Sequence, residues 1–174
     1  MTNENIMRKI YVEKVTLNVG AGKDQVKLEK AEKLLKHITG IPPVRTKTDK
    51  RIAAWGLRPG LPIGCKLTLR GEKALAIIPR LLYAVDMKLR HSCFDDNGNI
   101  SFGIREYIDI KDTKYDPEIG SMGLQATITL KRPGFRIKNR KVLKRSIPKT
   151  HRISKEESIN FMKENFGLKT DSEE

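Results

Sequence analysis

Ten polar side chains alternate with apolar ones along three stretches of this chain: Lys14, Thr16 and Asn18; Lys66, Thr68 and Arg70; and Gln125, Thr127, Thr129 and Lys131. None is Asp or Glu, although the chain has 21 acids to place. A sheet face that met only water would carry both signs of charge, and Glu would serve there as well as Lys. Threonine alone says little, because its β-branch suits any strand. Hydroxyls, amides and cations together, with no carboxylate among them, are the groups that hydrogen-bond sugars and neutralise phosphates. The chemistry expected here is recognition of folded RNA, with no bond made or broken. None of the ten is aromatic, so the face is unlike the stacking platform of an RNA-recognition motif. Recognition then rests on backbone shape and hydrogen bonds.

Two further segments concentrate positive charge. Arg45, Lys47, Lys50, Arg51 and Arg58 lie in a stretch whose only acid is Asp49, with Trp55 among them. Such a run is most simply a solvated loop, but a Trp within it either contacts nucleic acid or anchors the loop to the core. From Lys131 to Lys155 come Lys131, Arg132, Arg136, Lys138, Arg140, Lys141, Lys144, Arg145, Lys149, Arg152 and Lys155, without one acid. A stretch so charged repels itself, and a phosphate-rich neighbour explains it best.

Catalytic readings fail one at a time. Gly20-Ala21-Gly22-Lys23 hints at a phosphate loop, yet Leu17 stands where its first Gly belongs and Asp24 follows the Lys in place of Ser or Thr. His37, His91 and His151 share no spacing with Cys or carboxylates that would hold zinc. No nucleophile-elbow or Cys/His signature is present. Asp95-Asp96 sits in a turn and Glu156-Glu157 in a first helical turn, where structural roles suffice. No catalytic residue, metal or cofactor is expected, and the chain is not read as an enzyme.

The elements that must position these groups follow from periodicity. Ile10 to Val19 reads as a strand, with Val15, Leu17 and Val19 on one face. Asp24 caps a helix carrying Leu28, Ala31, Leu35 and Ile38 on one stripe, stopped by Gly40. Val44 to Thr48 is extended, and Pro62 to Arg70 alternates with Ile63, Cys65, Leu67 and Leu69 inward. A long helix is predicted from Glu72 to about Arg90, with Ile78, Leu81, Leu82, Val85 and Leu89 buried and Pro79 either kinking it or marking its start. Asn97-Gly98 signals a turn into Ile100–Ile104, an acidic loop runs from about Glu106 to Gly123, and Leu124–Leu130 is the last clear strand. Ser154 and Glu157 form a capping box before a helix with Ile159, Met162 and Phe166 in register. Met1 to Arg8 is polar and expected to be loose. The fold class predicted is α+β: a mostly antiparallel sheet with helices on one face and an open polar and basic face, a relative of the ferredoxin-like fold.

The whole chain agrees with this. Its 174 residues suit one domain, 1–174, with a basic segment at 131–155 and a C-terminal helix. The net charge of +14 calls for a polyanion. Cys65 and Cys93 lack CxxC spacing, no segment resembles a signal peptide, and no apolar run approaches the roughly 20 residues that span a membrane. A cytoplasmic setting without membrane contact is expected.

One block is specific. Pro43-Val44-Arg45-Thr46-Lys47, Lys50-Arg51-Ile52-Ala53 and Leu57-Arg58-Pro59-Gly60-Leu61-Pro62-Ile63-Gly64-Cys65-Lys66-Leu67-Thr68-Leu69-Arg70-Gly71 resemble the core of the large-subunit ribosomal protein L-five family. Val15-Thr16-Leu17-Asn18-Val19-Gly20 is similar to that family's first strand, and Phe102-Gly103-Ile104 with the acidic loop behind it to its later region. The Lys131–Arg136 segment, and the want of the N-terminal helix of bacterial members, resemble the archaeal and eukaryotic branch, called protein eleven in eukaryotes. The resemblance implies a structural ribosomal protein that binds 5S rRNA through its open sheet face, with Asn18 and Thr68 at strand positions the family uses; alternation adds Lys14, Thr16, Lys66, Arg70, Gln125 and Thr127 to the expected contact. It implies a place in the central protuberance beside large-subunit rRNA of the 23S/28S type and other proteins of that region. The basic loop, with Arg45, Lys47, Lys50, Arg51 and Arg58, would touch the P-site tRNA, and Arg132, Arg136, Lys138 and Arg140 would serve as a basic tail. Asp109, Asp112, Asp116 and Glu118 would bridge to a protein of the small-subunit head. A free-standing RNA-binding regulator is the competing reading; it predicts no preference for 5S rRNA.

Overall fold

A computed structural model of the protein describes residues 5–171. The first four of the residues expected to be loose lie outside that span, and Ile6–Arg8 form a single 3-10 turn. The chain then runs through β1 (Tyr11–Gly20), α1 (Gln25–Thr39), β2 (Val44–Lys47), β3 (Pro62–Leu69), α2 (Glu72–Tyr83) and β4 (Lys88–Arg90). It continues through β5 (Asn99–Ile104), β6 (Leu124–Lys131), α3 (Arg136–Asn139), α4 (Lys155–Phe166) and β7 (Lys169–Asp171).

Five strands form one sheet in the order β2-β3-β1-β6-β5, with every neighbouring pair antiparallel. The sequence β1-α1-β2-β3-α2-β6 with the order β2-β3-β1-β6 is the ferredoxin-like arrangement, to which β5 adds an edge. The α+β expectation is met, helices and all. β4 and β7 form a separate parallel pair.

The alternation in β1, β3 and β6 drives the layering. Val15, Leu17 and Val19, then Cys65, Leu67 and Leu69, then Leu124, Ala126, Ile128 and Leu130 are all buried on one side of the sheet. Against them lie Leu28, Ala31, Leu34, Leu35 and Ile38 of α1 and Ala74, Ile77, Ile78, Leu81 and Leu82 of α2. Burying each Val, Leu or Ile among them contributes roughly 1.5–3 kcal/mol. Asp24 caps α1 through Val26 N–H and Lys27 N–H, and Gly40 ends it at φ 71°, a left-handed conformation that glycine adopts without steric cost.

The helix predicted to reach Arg90 stops at Tyr83. Asp86 and Met87 both take left-handed backbone, at φ 55° and 56°, and no α-helix continues through such residues. Leu89 is buried as expected, but from β4, and Val85 is half-buried in the turn between. Pro79 neither starts nor ends α2; it lies within the helix on its exposed side, where the Leu75 carbonyl it leaves unpaired can meet water.

Candidate nucleic-acid interface

Strand register turns the predicted outward residues into rows. Thr16 pairs with Thr68 on one side and Thr127 on the other, and Thr127 pairs with Ser101. Four hydroxyls on β3, β1, β6 and β5 therefore stand side by side. The next row places Lys66, Asn18 and Gln125 together, and Asn18 Nδ2 donates to Gln125 Oε1 at 3.2 Å, which orients both amides. Ser101 and Thr127 hydroxyls bond at 3.1 Å. Thr16 and Thr68 hydroxyls have no side-chain hydrogen bond among the described residues. Among the described residues no helix covers this side: Lys66, Thr68, Arg70, Gln125 and Ser101 are exposed, and Lys14, Thr16, Asn18 and Thr127 are half-buried among their neighbours.

Three details depart from the alternation. Thr129, in register between Lys14 and Asn99, is buried and offers no surface. A bulge between Val12 and Lys14 brings Glu13 alongside Arg70, whose Nη1 donates to its carboxylate at 3.5 Å. One carboxylate thus stands at the rim of a face otherwise free of acids, because a bulge breaks the period of two. Ser101 and Asn99, not predicted as site residues, extend the face onto β5; the alternation of Ile100, Phe102 and Ile104 was the signal that would have found them. Where β3 approaches β1 and β2, a side chain at Gly64 would place its Cβ 2.7 Å from the Val19 carbonyl oxygen and 3.2 Å from Thr46 Oγ1, so only glycine fits without displacement.

The basic loop between β2 and β3 is built, not slack. Thr48 is buried; its N–H donates to Leu61 O, and its carbonyl accepts from Gly60 N–H. Further out Ile52 and Leu57 form a bridge around the turn Ala53–Trp55. Lys47, Lys50, Arg51 and Arg58 are exposed and belong to no ion pair among the described residues. Arg45 differs, since its Nε and Nη2 both engage the Glu32 carboxylate of α1, the latter at 3.1 Å. That carboxylate raises the Arg45 pKa by hydrogen bond and charge, and the pair holds this guanidinium against α1.

The 131–155 segment carries one clear correction. Arg132, expected in a phosphate-binding tail, is 4% exposed. Its Nε donates to Arg8 O at 3.1 Å, Nη1 to Arg152 O at 2.9 Å, and Nη2 to Glu157 Oε1 at 2.6 Å. It fastens the segment to the N-terminal stretch and to α4. Burial works to raise the Glu157 pKa, but the Ser154 N–H bond and the Arg132 guanidinium outweigh it and hold the carboxyl below its ordinary value. Arg136 is exposed, Lys138 Nζ lies 4.9 Å over the Phe135 ring, and Arg140 Nε donates to Leu143 O at 2.7 Å.

The acidic loop is pinned by buried Tyr107, Ile110 and Ile119, with Tyr107 Oη accepting from Asp116 N–H at 2.8 Å. Asp109 and Asp112 are exposed without a basic partner among the described residues. Asp116 is half-buried and caps Glu118 N–H at 2.9 Å, while Glu118 pairs with Lys33 of α1 at 2.7 Å. Among the described residues no cluster of His, Cys, Asp and Glu could hold a metal ion, and no helix is long and apolar enough to cross a membrane.

Comparison with known proteins identifies a family. Residues 5–58 match the family described as ribosomal protein L5, and residues 62–161 match the C-terminal part of the same family. The chain is 50% identical over 165 residues to the large ribosomal subunit protein uL5 of Sulfolobus acidocaldarius, covering 95% of this chain and 93% of that one. It is 51% identical over 166 residues to the uL5 of Nanoarchaeum equitans, covering 95% and 98%. The uL5 of Picrophilus torridus is 43% identical over 169 residues, covering 97% and 96%.

Proposed function

The chain belongs to the ribosomal protein L5 family, and from that premise we propose that it anchors 5S rRNA in the large subunit by laying the open side of its five-stranded sheet against folded RNA. As a member it is a structural constituent of the large ribosomal subunit and not an enzyme; it works with rRNA, in the cytoplasmic ribosome. The finer assignments are ours. Residues 1–174 act as one 5S rRNA-binding domain, and one cluster of buried side chains running from Val15 to Leu168 supports this. Lys14, Thr16, Asn18, Lys66, Thr68, Arg70, Gln125 and Thr127 form the 5S contact, joined by Ser101. Lys47, Lys50, Arg51 and Arg58 meet the P-site tRNA, and Arg136, Lys138 and Arg140 meet 23S/28S-type rRNA near other central-protuberance proteins. Asp109 and Asp112 offer the bridge to a protein of the small-subunit head.

The observation that carries the reading is the row Thr68, Thr16, Thr127 and Ser101, flanked by Lys66, Asn18 and Gln125. A flat run of short donors and acceptors fits ribose hydroxyls and phosphate oxygens, and leaves a base no aromatic ring to stack on. The test is a gel-shift titration of the protein with 5S rRNA beside an unrelated structured RNA. Preference for 5S rRNA is expected, and Asn18→Ala with Thr68→Ala should weaken it by about 1–3 kcal/mol, the scale of hydrogen bonds lost at a desolvated surface. Equal binding to both RNAs would favour a general RNA regulator.

A further inference from the structure

Trp55 is the one Trp of the chain, and its side chain is not in the core. It is 67% exposed at the tip of the β2–β3 loop. The turn that carries it is stiff: Ile52 N–H donates to Leu57 O at 3.1 Å, Leu57 N–H to Ile52 O at 3.0 Å, and Gly56 N–H to Ala53 O at 3.0 Å. Gly56 takes φ 66°, and Leu57 is buried and anchors the base of the turn. The neighbours Ala53, Ala54 and Gly56 are too small to shield the indole. Among the described residues the ring has no aromatic or cation–π partner, and its N–H has no hydrogen bond.

Single exposed apolar residues are ordinary on protein surfaces. Three features set this one apart: a braced turn, a bare ring, and the charge around it. Lys50, Arg51 and Arg58 flank it in the chain. Lys23 joins them from the β1–α1 connection, its Cδ 3.6 Å from where a Gly56 side chain would begin. Nearby acids offset little of this, since Asp24 is engaged in capping α1 and Asp49 is the one acid of the loop. A flat, uncovered π face ringed by cations has the composition of a stacking site for nucleic acid, in which Lys and Arg hold the backbone while the ring covers a base.

We infer that Trp55 stacks on an exposed base face of the structured RNA that meets the β2–β3 loop. The inference rests on the reading that this loop contacts tRNA, and it adds an aromatic contact to a protein whose row Thr68, Thr16, Thr127 and Ser101 has none. Lys23, Lys50, Arg51 and Arg58 then act as point charges on phosphates, and Trp55 supplies a contact that depends on an accessible base.

With no other Trp in the chain, intrinsic emission reports this residue alone. The full-length protein is titrated with a dye-labelled tRNA transcript, reading dye anisotropy for binding and indole emission for stacking, and in parallel with polyglutamate, a polyanion without bases. Binding of tRNA should lower the emission by half or more, and polyglutamate should change it little. Trp55→Ala should bind tRNA roughly tenfold to a hundredfold more weakly, the range for one stacked base, and Trp55→Phe should recover most of that loss. Both variants should keep the wild-type melting temperature and 5S rRNA affinity, because the ring lies outside core and sheet face. Anisotropy that rises with no change in emission, or Trp55→Ala binding as tightly as wild type, would overturn stacking while the charged contact stands. Equal quenching by polyglutamate would assign the loop to an acidic protein instead. If tRNA does not bind even at low salt, the loop's tRNA assignment and the stacking fall together, and the 5S titration still judges the sheet face separately.

Discussion

Arg132 and Glu157 illustrate how a charged residue in a basic protein can belong to the fold and not to its ligand. The guanidinium reaches three carbonyls and a carboxylate from a buried position, so removing it takes a donor from each, while Glu157 keeps its bond from Ser154 N–H. Arg132→Ala is expected to lower unfolding stability by about 2–4 kcal/mol, as when one partner of a buried hydrogen-bonded pair is deleted. The sign of the pH effect follows from Glu157, whose carboxyl is held below its ordinary 4.5. A depressed carboxylate adds stability above its unfolded pKa and loses it as pH falls through the folded one. Denaturant melts of wild type and Arg132→Ala from pH 7 downward should therefore show a full gap at neutral pH that narrows below about 4.5. A gap that stays constant into acid would remove Glu157 from this account.

At the scale of elements, the end of α2 is set by backbone conformation more than by side-chain pattern. Asp86 holds φ 55° while exposed, at some steric cost to a residue with a Cβ. Asp86→Gly should be neutral or stabilising by up to about 1 kcal/mol, whereas Asp86→Val should cost about 1–2 kcal/mol. Thermal melts of the two variants check this. The turn matters because it redirects the chain from the helix layer into β4, whose Leu89 then joins the core beside β7. The same logic governs the sheet: a single bulge at Val12–Lys14 decides that Arg70 has Glu13 as a neighbour, and so lowers its availability to a phosphate.

For the whole molecule, net charge and its placement decide how binding responds to salt. Of the four ion pairs among the described residues, one (Arg132–Glu157) involves the 131–155 segment, so most of that charge stays open to a polyanion. If six phosphates are neutralised, 5S rRNA affinity should fall roughly a thousandfold between 50 and 200 mM salt. A slope near zero in a salt titration would mean that few cations meet RNA at all. Surface ion pairs such as Lys33–Glu118 and Arg45–Glu32 contribute little to stability, but they determine which cations remain free for that slope.

Much of this was readable from the chain by itself. Period-two alternation in β1, β3 and β6 marked the outward residues apart from buried Thr129 and bulge-borne Glu13, and the Asp24, Gly40 and Ser154–Glu157 signals marked helix ends, because both depend on contacts only a few residues apart. The extent of α2 misled, since Leu89 continues a helical spacing while being buried through another element. Register was the tertiary structure's to decide: only the pairing of Thr16 with Thr68 and Thr127 makes a row of hydroxyls from residues more than fifty positions apart. So too were the burial of Arg132 and the exposure of Trp55. An Arg among ten other cations and a Trp in a basic loop each have two physically sound fates, and which one holds depends on what distant chain segments bring within hydrogen-bonding reach.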